Sequence, residues 1–277
     1  MSSLSTPASH RADHGGPGPL LVILDPAAKQ ADGESVRVAK DVLCGGADVK
    51  VALPESPSEL DRVLSHRGRR RPVVIGADPA LQRVLQALHR QRELGTDPVG
   101  VVPVGRPVAT GALRALGVPV EPVAAARAVL AGTPRKLDLL VDDGGGVVLA
   151  EVRIAPLRPG DGLSRSVGLR SLWAKFAAAE QGKSSVNGPV VELRVEADGR
   201  LLADLHQRVR LLRVAPADGV LELTLRLDGH THRHRVASLT VTGRHFGYEA
   251  DGAPVGPVRA RTWTVHAGAW ELMLPAG

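Results

Sequence analysis

Two stretches of this chain read as an apolar strand running into a loop that opens a helix, the layout in which backbone amides can hold a phosphate. The first is Val73-Val74-Ile75-Gly76-Ala77-Asp78-Pro79-Ala80-Leu81, and the second is Val99-Gly100-Val101-Val102-Pro103-Val104-Gly105-Arg106-Pro107. A phosphate cradle needs glycines so that N–H groups can approach the oxygens, and the free N–H groups of a helix start complete it. Gly76 keeps part of that arrangement, whereas Ala77 adds a methyl group and Pro79 removes an N–H from the first turn. Asp78 followed by Pro79 also has a structural reading, as N-cap and first residue of the helix that follows. Gly105 can supply a tight turn beside a ligand, and Arg106 either grips a phosphate with its guanidinium or is a solvated loop cation. At the same edge of the expected sheet, Asp25-Pro26-Ala27-Ala28-Lys29 follows a third apolar run. Lys29 there is a phosphate contact or an exposed lysine.

These loops need strands to align them. Residues 20–24, 49–53, 72–76 and 98–102 read as strands, alternating with helical patterns over 34–43, 58–66, 79–90 and 108–116. Continuous Val, Ile and Leu strands separated by helices imply a doubly wound, mainly parallel sheet covered on both faces. Ligands in such sheets sit beyond the carboxyl ends of the strands, which draws attention to the loops after Leu24, Ile75 and Val102. Beyond Pro134 the pattern changes to short strands at 137–142, 147–154, 190–197, 207–214, 220–227, 233–242 and 258–265. Asp-Gly pairs at 198, 218, 228 and 251 punctuate them. The expected class is therefore α/β, with an N-terminal doubly wound domain over 20–134 and a C-terminal antiparallel β-sandwich domain over 135–277. One basic amphipathic helix interrupts the second half at 165–180. Its Trp173 and Phe176 either dock on the sandwich or enter an anionic membrane, with Arg170 and Lys175 meeting the headgroups.

Composition narrows the function classes. With 277 residues and 43% hydrophobic content the chain can build two cores. No run of eighteen apolar residues occurs, so no membrane-spanning helix is expected. Residues 1–19, rich in Ser, Pro, Gly and His, lack the features of a secretory signal and read as a disordered tail, making a cytoplasmic protein the default. The net charge of +6 is spread along the chain except for Arg67 to Arg71, read as a solvated loop or a phosphate or anionic-lipid contact. With only three Trp, two Phe and one Tyr there is no stacking platform for bases, so no nucleic-acid partner is expected. Cys44 has no partner cysteine and reads as a small buried residue. His230, His232 and His234 would share one face of a strand. They are a metal site or, given the flanking arginines and no acidic or cysteine partner nearby, an exposed hairpin edge, and no metal is expected.

Taken in order, these segments resemble the diacylglycerol kinase-like lipid kinases, the group that includes the sphingosine kinases and bacterial relatives. Residues 21–29 resemble the family's opening strand and Asn-Pro-x-x-Gly loop, with Asp25 at the Asn position and Pro26 retained. Ile75 to Ala80 resembles its Gly-Gly-Asp-Gly-Thr loop, keeping Gly76 and Asp78. Val101 to Gly105 and then Leu113 to Pro119 are similar to its Pro-Leu-Gly-Thr-Gly-Asn segment and Ala-Arg-x-Leu-Gly-Ile-Pro helix end. Ala124 to Leu139 resembles the helix that leads into its Arg-x-Leu-Asp strand, and Tyr248 to Gly252 its closing Asp-Gly-Glu region. The resemblance implies ATP and Mg²⁺ as cofactors and a lipid hydroxyl as acceptor. It implies that Asp25, Gly76, Asp78 and Gly105 line the phosphates, that Arg106 or Lys29 offsets charge, and that Asp251 supplies a carboxylate near the cleft. Asp161, in Pro159-Gly160-Asp161-Gly162, is the remnant of a further acidic motif or a turn. A lipid kinase must also reach a bilayer, so a peripheral place at the inner membrane face is implied, with 165–180 as the contact. Ala77, Pro79 and Ala80, and Ala253 at the position of the closing Glu, depart from the family pattern. Phosphoryl transfer depends on positioning and charge compensation, so these departures imply weak or lost activity, or a non-catalytic relative that binds a lipid, a nucleotide or a protein.

Overall fold

The structure, a computed structural model, describes residues 17–155, 191–227 and 229–276. Its first sheet is parallel, with strands β1 (Leu20–Leu24), β2 (Val49–Ala52), β3 (Arg71–Gly76) and β4 (Gly100–Pro103) in the order β2-β1-β3-β4. Alternate residues of each strand face opposite ways, and the two faces are covered by different helices. Leu20, Val22, Val73 and Ile75 share a core with Val36, Ala39 and Leu43 of α2 (Gly33–Gly46) and with Ala125 and Val129 of α6 (Pro122–Ala131). Leu21, Ile23 and Val74 share the other core with α3 (Pro57–Ser65) and α4 (Asp78–Gln91). The chain leaves β1 toward β2 on one side and returns to β3 on the other. The crevice of a doubly wound sheet opens at that reversal, beyond the carboxyl ends of β1 and β3.

The second sheet is antiparallel and runs β12-β11-β10-β7-β13-β14-β5-β6. Its strands are β5 (Thr133–Asp142), β6 (Val147–Val148), β7 (Val152–Ile154), β10 (Arg208–Ala217), β11 (Val220–Leu227), β12 (His230–Val236), β13 (Ser238–Ala250) and β14 (Ala253–Leu274). The strand β8 (Val191–Ala197) pairs with both β13 and β10, as β7 does, and with β9 (Arg200–Ala203). The sheet thus folds back on itself around Val195, Leu212, Leu223, Val241 and Trp263. Its tight turns are Asp198-Gly199, Asp218-Gly219 and Asp251-Gly252, with φ of 48°/76°, 50°/75° and 48°/78°. Positive φ at both central residues is what a two-residue hairpin turn requires, and Asp-Gly meets that demand at low cost.

The two halves are joined by the end of β14. Val99 N–H donates to Glu271 O (2.7 Å) and Met273 N–H to Val99 O (2.9 Å). Trp270, Leu272 and Leu274 belong to the same core as α4 and β4 residues.

Several expectations are corrected. Cys44 is exposed rather than buried, because the core face of α2 is taken by Val36, Ala39 and Leu43. The arginine cluster is no solvated loop. Arg67 is buried against Glu93 and Asp97, Arg70 pairs with Asp48 at 2.9 Å, and Arg71 donates to Val129 O at 2.7 Å. A buried guanidinium is tolerated because two carboxylates meet it. The expected strand 233–242 is two strands, since the amides of Ala237 and Ser238 are captured by Asp198 at 3.0 and 2.8 Å. The expected strand 147–154 breaks for the same reason at Leu149, Ala150 and Glu151, whose amides go to Asp251. His230, His232 and His234, by contrast, lie as expected on an exposed hairpin edge, the edge strand β12, mostly exposed, with the last two rings stacked 6.4 Å apart. Among the described residues no group of three His, Cys, Asp or Glu could hold a metal.

Candidate ligand-binding crevice

At the carboxyl end of β1 the chain turns into α1 (Pro26–Ala31), and Asp25 caps it by accepting from Ala27 N–H at 3.3 Å. Its side chain is only 9% exposed, and its charge is met by Arg83, whose Nη2 lies 3.0 Å from Oδ1. Arg83 stands one turn into α4, four residues beyond Pro79. Sequence reading missed it, although that helical spacing from the loop is the signal that could have found it.

The loop after β3 is closed. A Cβ on Gly76 would meet Ala80 Cβ at 2.8 Å and Asp25 Cβ at 2.9 Å, so the glycine here lets α4 and α1 approach the strand end and leaves no room for an oxygen on that side. Ala77, not Asp78, is the N-cap residue of α4, and it contributes no side-chain bond. Asp78 is 3% exposed and turns its carboxylate away, accepting from Ala112 N–H at 2.9 Å and Leu113 N–H at 3.0 Å. It therefore caps α5 (Gly111–Ala115), after a 3₁₀ turn over Pro107–Thr110, in place of its own helix. Burial pushes the Asp78 carboxyl above the usual range, the amides oppose that, and the nearby charge of Asp251 adds to it.

Asp251, in the β13–β14 turn, accepts from Gln82 Nε2 at 2.6 Å and from the amides of Leu149, Ala150 and Glu151 at 2.7, 2.7 and 2.9 Å. It ties the second sheet to α4, another link that no local pattern announced. Nearby, Tyr248 donates to Asp142 at 3.2 Å, and its hydroxyl is pushed up to about 12 by burial and the Asp142 charge.

The loop after β4 is open. Gly105 has φ +148° and lies beside Ala77, so a Cβ there would sit 3.3 Å from the Ala77 methyl. Arg106 and Lys29 are exposed, and their side chains have no partner among the described residues. Gln30, Ala31, Asp32, Gly105 and Arg106 line a shallow opening, and Gln30 also borders a cleft of about 430 Å³ between the ends of β1 and β2, lined by Asp25, Glu55 and Arg83 among apolar side chains. The structure thus gathers Asp25, Gly76, Asp78, Gly105 and Arg106 at one end of the sheet, places Lys29 on the adjoining helix, and brings Asp251 within electrostatic reach of Asp78. Asp161, Arg170, Trp173, Lys175 and Phe176 lie outside the described residues.

A magnesium-bound triphosphate does not fit the residues present. The space at Gly76 is filled, Pro79 lacks a donor, and the carboxylates of Asp78 and Asp251 are both occupied by N–H donors.

No protein-family model and no curated protein matches the sequence. Solved structures do match the fold. A candidate diacylglycerol kinase from Bacillus anthracis superposes with a TM-score of 0.72 at 13% identity, covering 96% of this chain and 98% of that one. A second structure so described, from the same organism, gives 0.67 at 13% identity over 92% and 97%. A diacylglycerol kinase from Bacillus anthracis gives 0.63 at 13% identity over 92% and 96%. The fold is that of the diacylglycerol kinases: a parallel α/β domain followed by a predominantly antiparallel one. No helix among the described residues is long and apolar enough to cross a membrane.

Proposed function

We propose that this protein is a non-catalytic member of the lipid-kinase architecture, one that uses the crevice beyond β1, β3 and β4 to bind an anionic ligand, with phosphoryl transfer lost. The observation that carries this reading is the use of both motif carboxylates, Asp78 and Asp251, as hydrogen-bond acceptors for backbone amides. A general base needs an oxygen lone pair within reach of the hydroxyl proton it removes. Ala77 and Pro79 support the same reading, since they take donors and space from the loop that would seat ATP.

The competing reading is an ATP- and Mg²⁺-dependent kinase acting on a lipid hydroxyl, in the cytoplasm or at the inner membrane face. It draws on the convergence of Asp78, Gly105 and Asp251 at one end of the sheet. Purified protein incubated with labelled ATP, Mg²⁺ and vesicles of diacylglycerol, sphingoid base or glycerolipid separates the two. The expected result is no labelled lipid above the protein-free control; transfer to any of these acceptors overturns the non-catalytic reading.

A further inference from the structure

The crevice also limits which anion it can take, an inference that rests on the ligand-binding reading above. We propose that the Asp25–Arg83 pair makes the cleft beyond β1 selective for an amphiphile with a single negative charge, and selective against polyphosphates.

The cleft, of about 430 Å³, is walled by Leu24, Pro26, Pro54, Pro57, Leu60 and Val84. Such walls hold an apolar chain or ring, and a small number of polar groups at one end orient it. The polar side chains of the lining are Asp25, Gln30, Glu55, Ser56 and Arg83, of which Asp25, Glu55 and Arg83 carry charge. Asp25 is buried and already serves Ala27 N–H and Arg83 Nη2. The Arg83 side chain is 49% exposed, and among the described residues only Nη2 has a partner, which leaves Nε and Nη1 to donate to an incoming anion. A planar guanidinium can meet two oxygens of one anionic group while keeping a bond to a second carboxylate.

The charge balance then sets the selectivity. One guanidinium faces two carboxylates, Asp25 and Glu55, within the same lining. A single added negative charge can share Arg83. A triphosphate would bring several more negative charges beside two carboxylates, in a setting where partial burial strengthens repulsion. The ligand chemistry is thus a monoanionic head on an apolar body, supplied either by a phosphodiester lipid or by a fatty carboxylate.

The test is titration calorimetry on the full chain with three probes: octanoate, dihexanoylphosphatidylglycerol below its micelle concentration, and ATP without metal. At least one of the two monoanions should bind about tenfold tighter than ATP, because each can make the bidentate Arg83 contact while only the triphosphate sets several further negative charges against Asp25 and Glu55. Which monoanion binds identifies the source of the head group. Arg83→Gln should weaken that monoanion about tenfold by removing the same contact. Asp25→Asn retains an oxygen for Ala27 and removes one carboxylate, so it should narrow the preference over ATP. Circular dichroism of both variants checks that the fold is kept, and Arg83→Lys, which keeps the charge without the fork, should fall between wild type and Arg83→Gln. ATP bound as tightly as the monoanions, a monoanion affinity unchanged in Arg83→Gln, or no binding of any probe overturns the proposal. None of these outcomes depends on whether labelled phosphate is transferred, so the two readings fail separately.

Discussion

The loops after β3 and β4 are neighbours in space and differ in almost every physical respect. After β3, Gly76 is enclosed by Ala80 and Asp25, and Asp78 is buried with two amides on its carboxylate. After β4, Gly105 holds a φ of +148°, a conformation that side-chain-bearing residues rarely adopt, and the Arg106 side chain is exposed without a partner among the described residues. A glycine and a charged residue in each loop thus serve opposite ends, packing in one and accessibility in the other. A glycine-rich motif is evidence of a ligand only when the space beside its Cα is open.

The largest effect that sharpens this contrast is expected from Asp78→Ala, which strands the amides of Ala112 and Leu113 in the interior. With two hydrogen bonds to a buried charged acceptor lost, the variant should be destabilised by about 3 kcal/mol, read from urea denaturation. A change within error would mean that the loop after β3 is not the closed, structural one. Gly76→Ala should come next, at about 2 kcal/mol, because the new methyl overpacks against Ala80 and Asp25. A neutral outcome would reopen this loop as a ligand contact.

A pH series gives a subtler probe of the same carboxylate. Burial raises the Asp78 carboxyl in the fold above its ordinary value of 3.8, so the native state holds that proton more tightly than the unfolded chain. The resulting stabilisation is full below 3.8 and is lost as pH rises through the folded value. Asp78→Asn cannot titrate, so its stability difference from wild type, measured below the ordinary value of 3.8 and again at neutral pH, should not be the same. Urea midpoints at both ends would show it, and a constant difference would contradict the assigned burial. At the small end, Arg106→Ala should alter stability by no more than about 0.5 kcal/mol, as befits an exposed loop side chain. A larger loss would reveal a structural partner and erase the contrast between the two loops.

The elements were legible where the signal is local. Continuous apolar runs mark β1, β3 and β4, and the Asp-Gly pairs at 198, 218 and 251 sit at hairpin turns with φ positive at both positions. What escaped sequence reading is action at a distance by single carboxylates. Asp198 splits one expected strand by taking the amides of Ala237 and Ser238, Asp251 interrupts another at residues 149–151, and Asp78 caps a helix more than thirty residues on. An aspartate beside a proline or glycine reads as a local cap or turn, and nothing in its neighbourhood reveals a partner far along the chain. The same holds for Arg67, whose partners Glu93 and Asp97 belong to a later segment, and for the Asp25–Arg83 pair that shapes the cleft.

The seam between Val99 and the last turns of β14 bears on biosynthesis. Trp270, Leu272 and Leu274 finish a core whose other members, from Leu21 to Leu149, are translated long before them. A ribosome paused after Ala217 would therefore present a nascent chain with Val99 and Leu139 uncovered, a substrate for chaperones in the interval. Protease sensitivity of such stalled chains should vanish only once residue 274 has left the exit tunnel, so the first domain to be made is the last to be sealed.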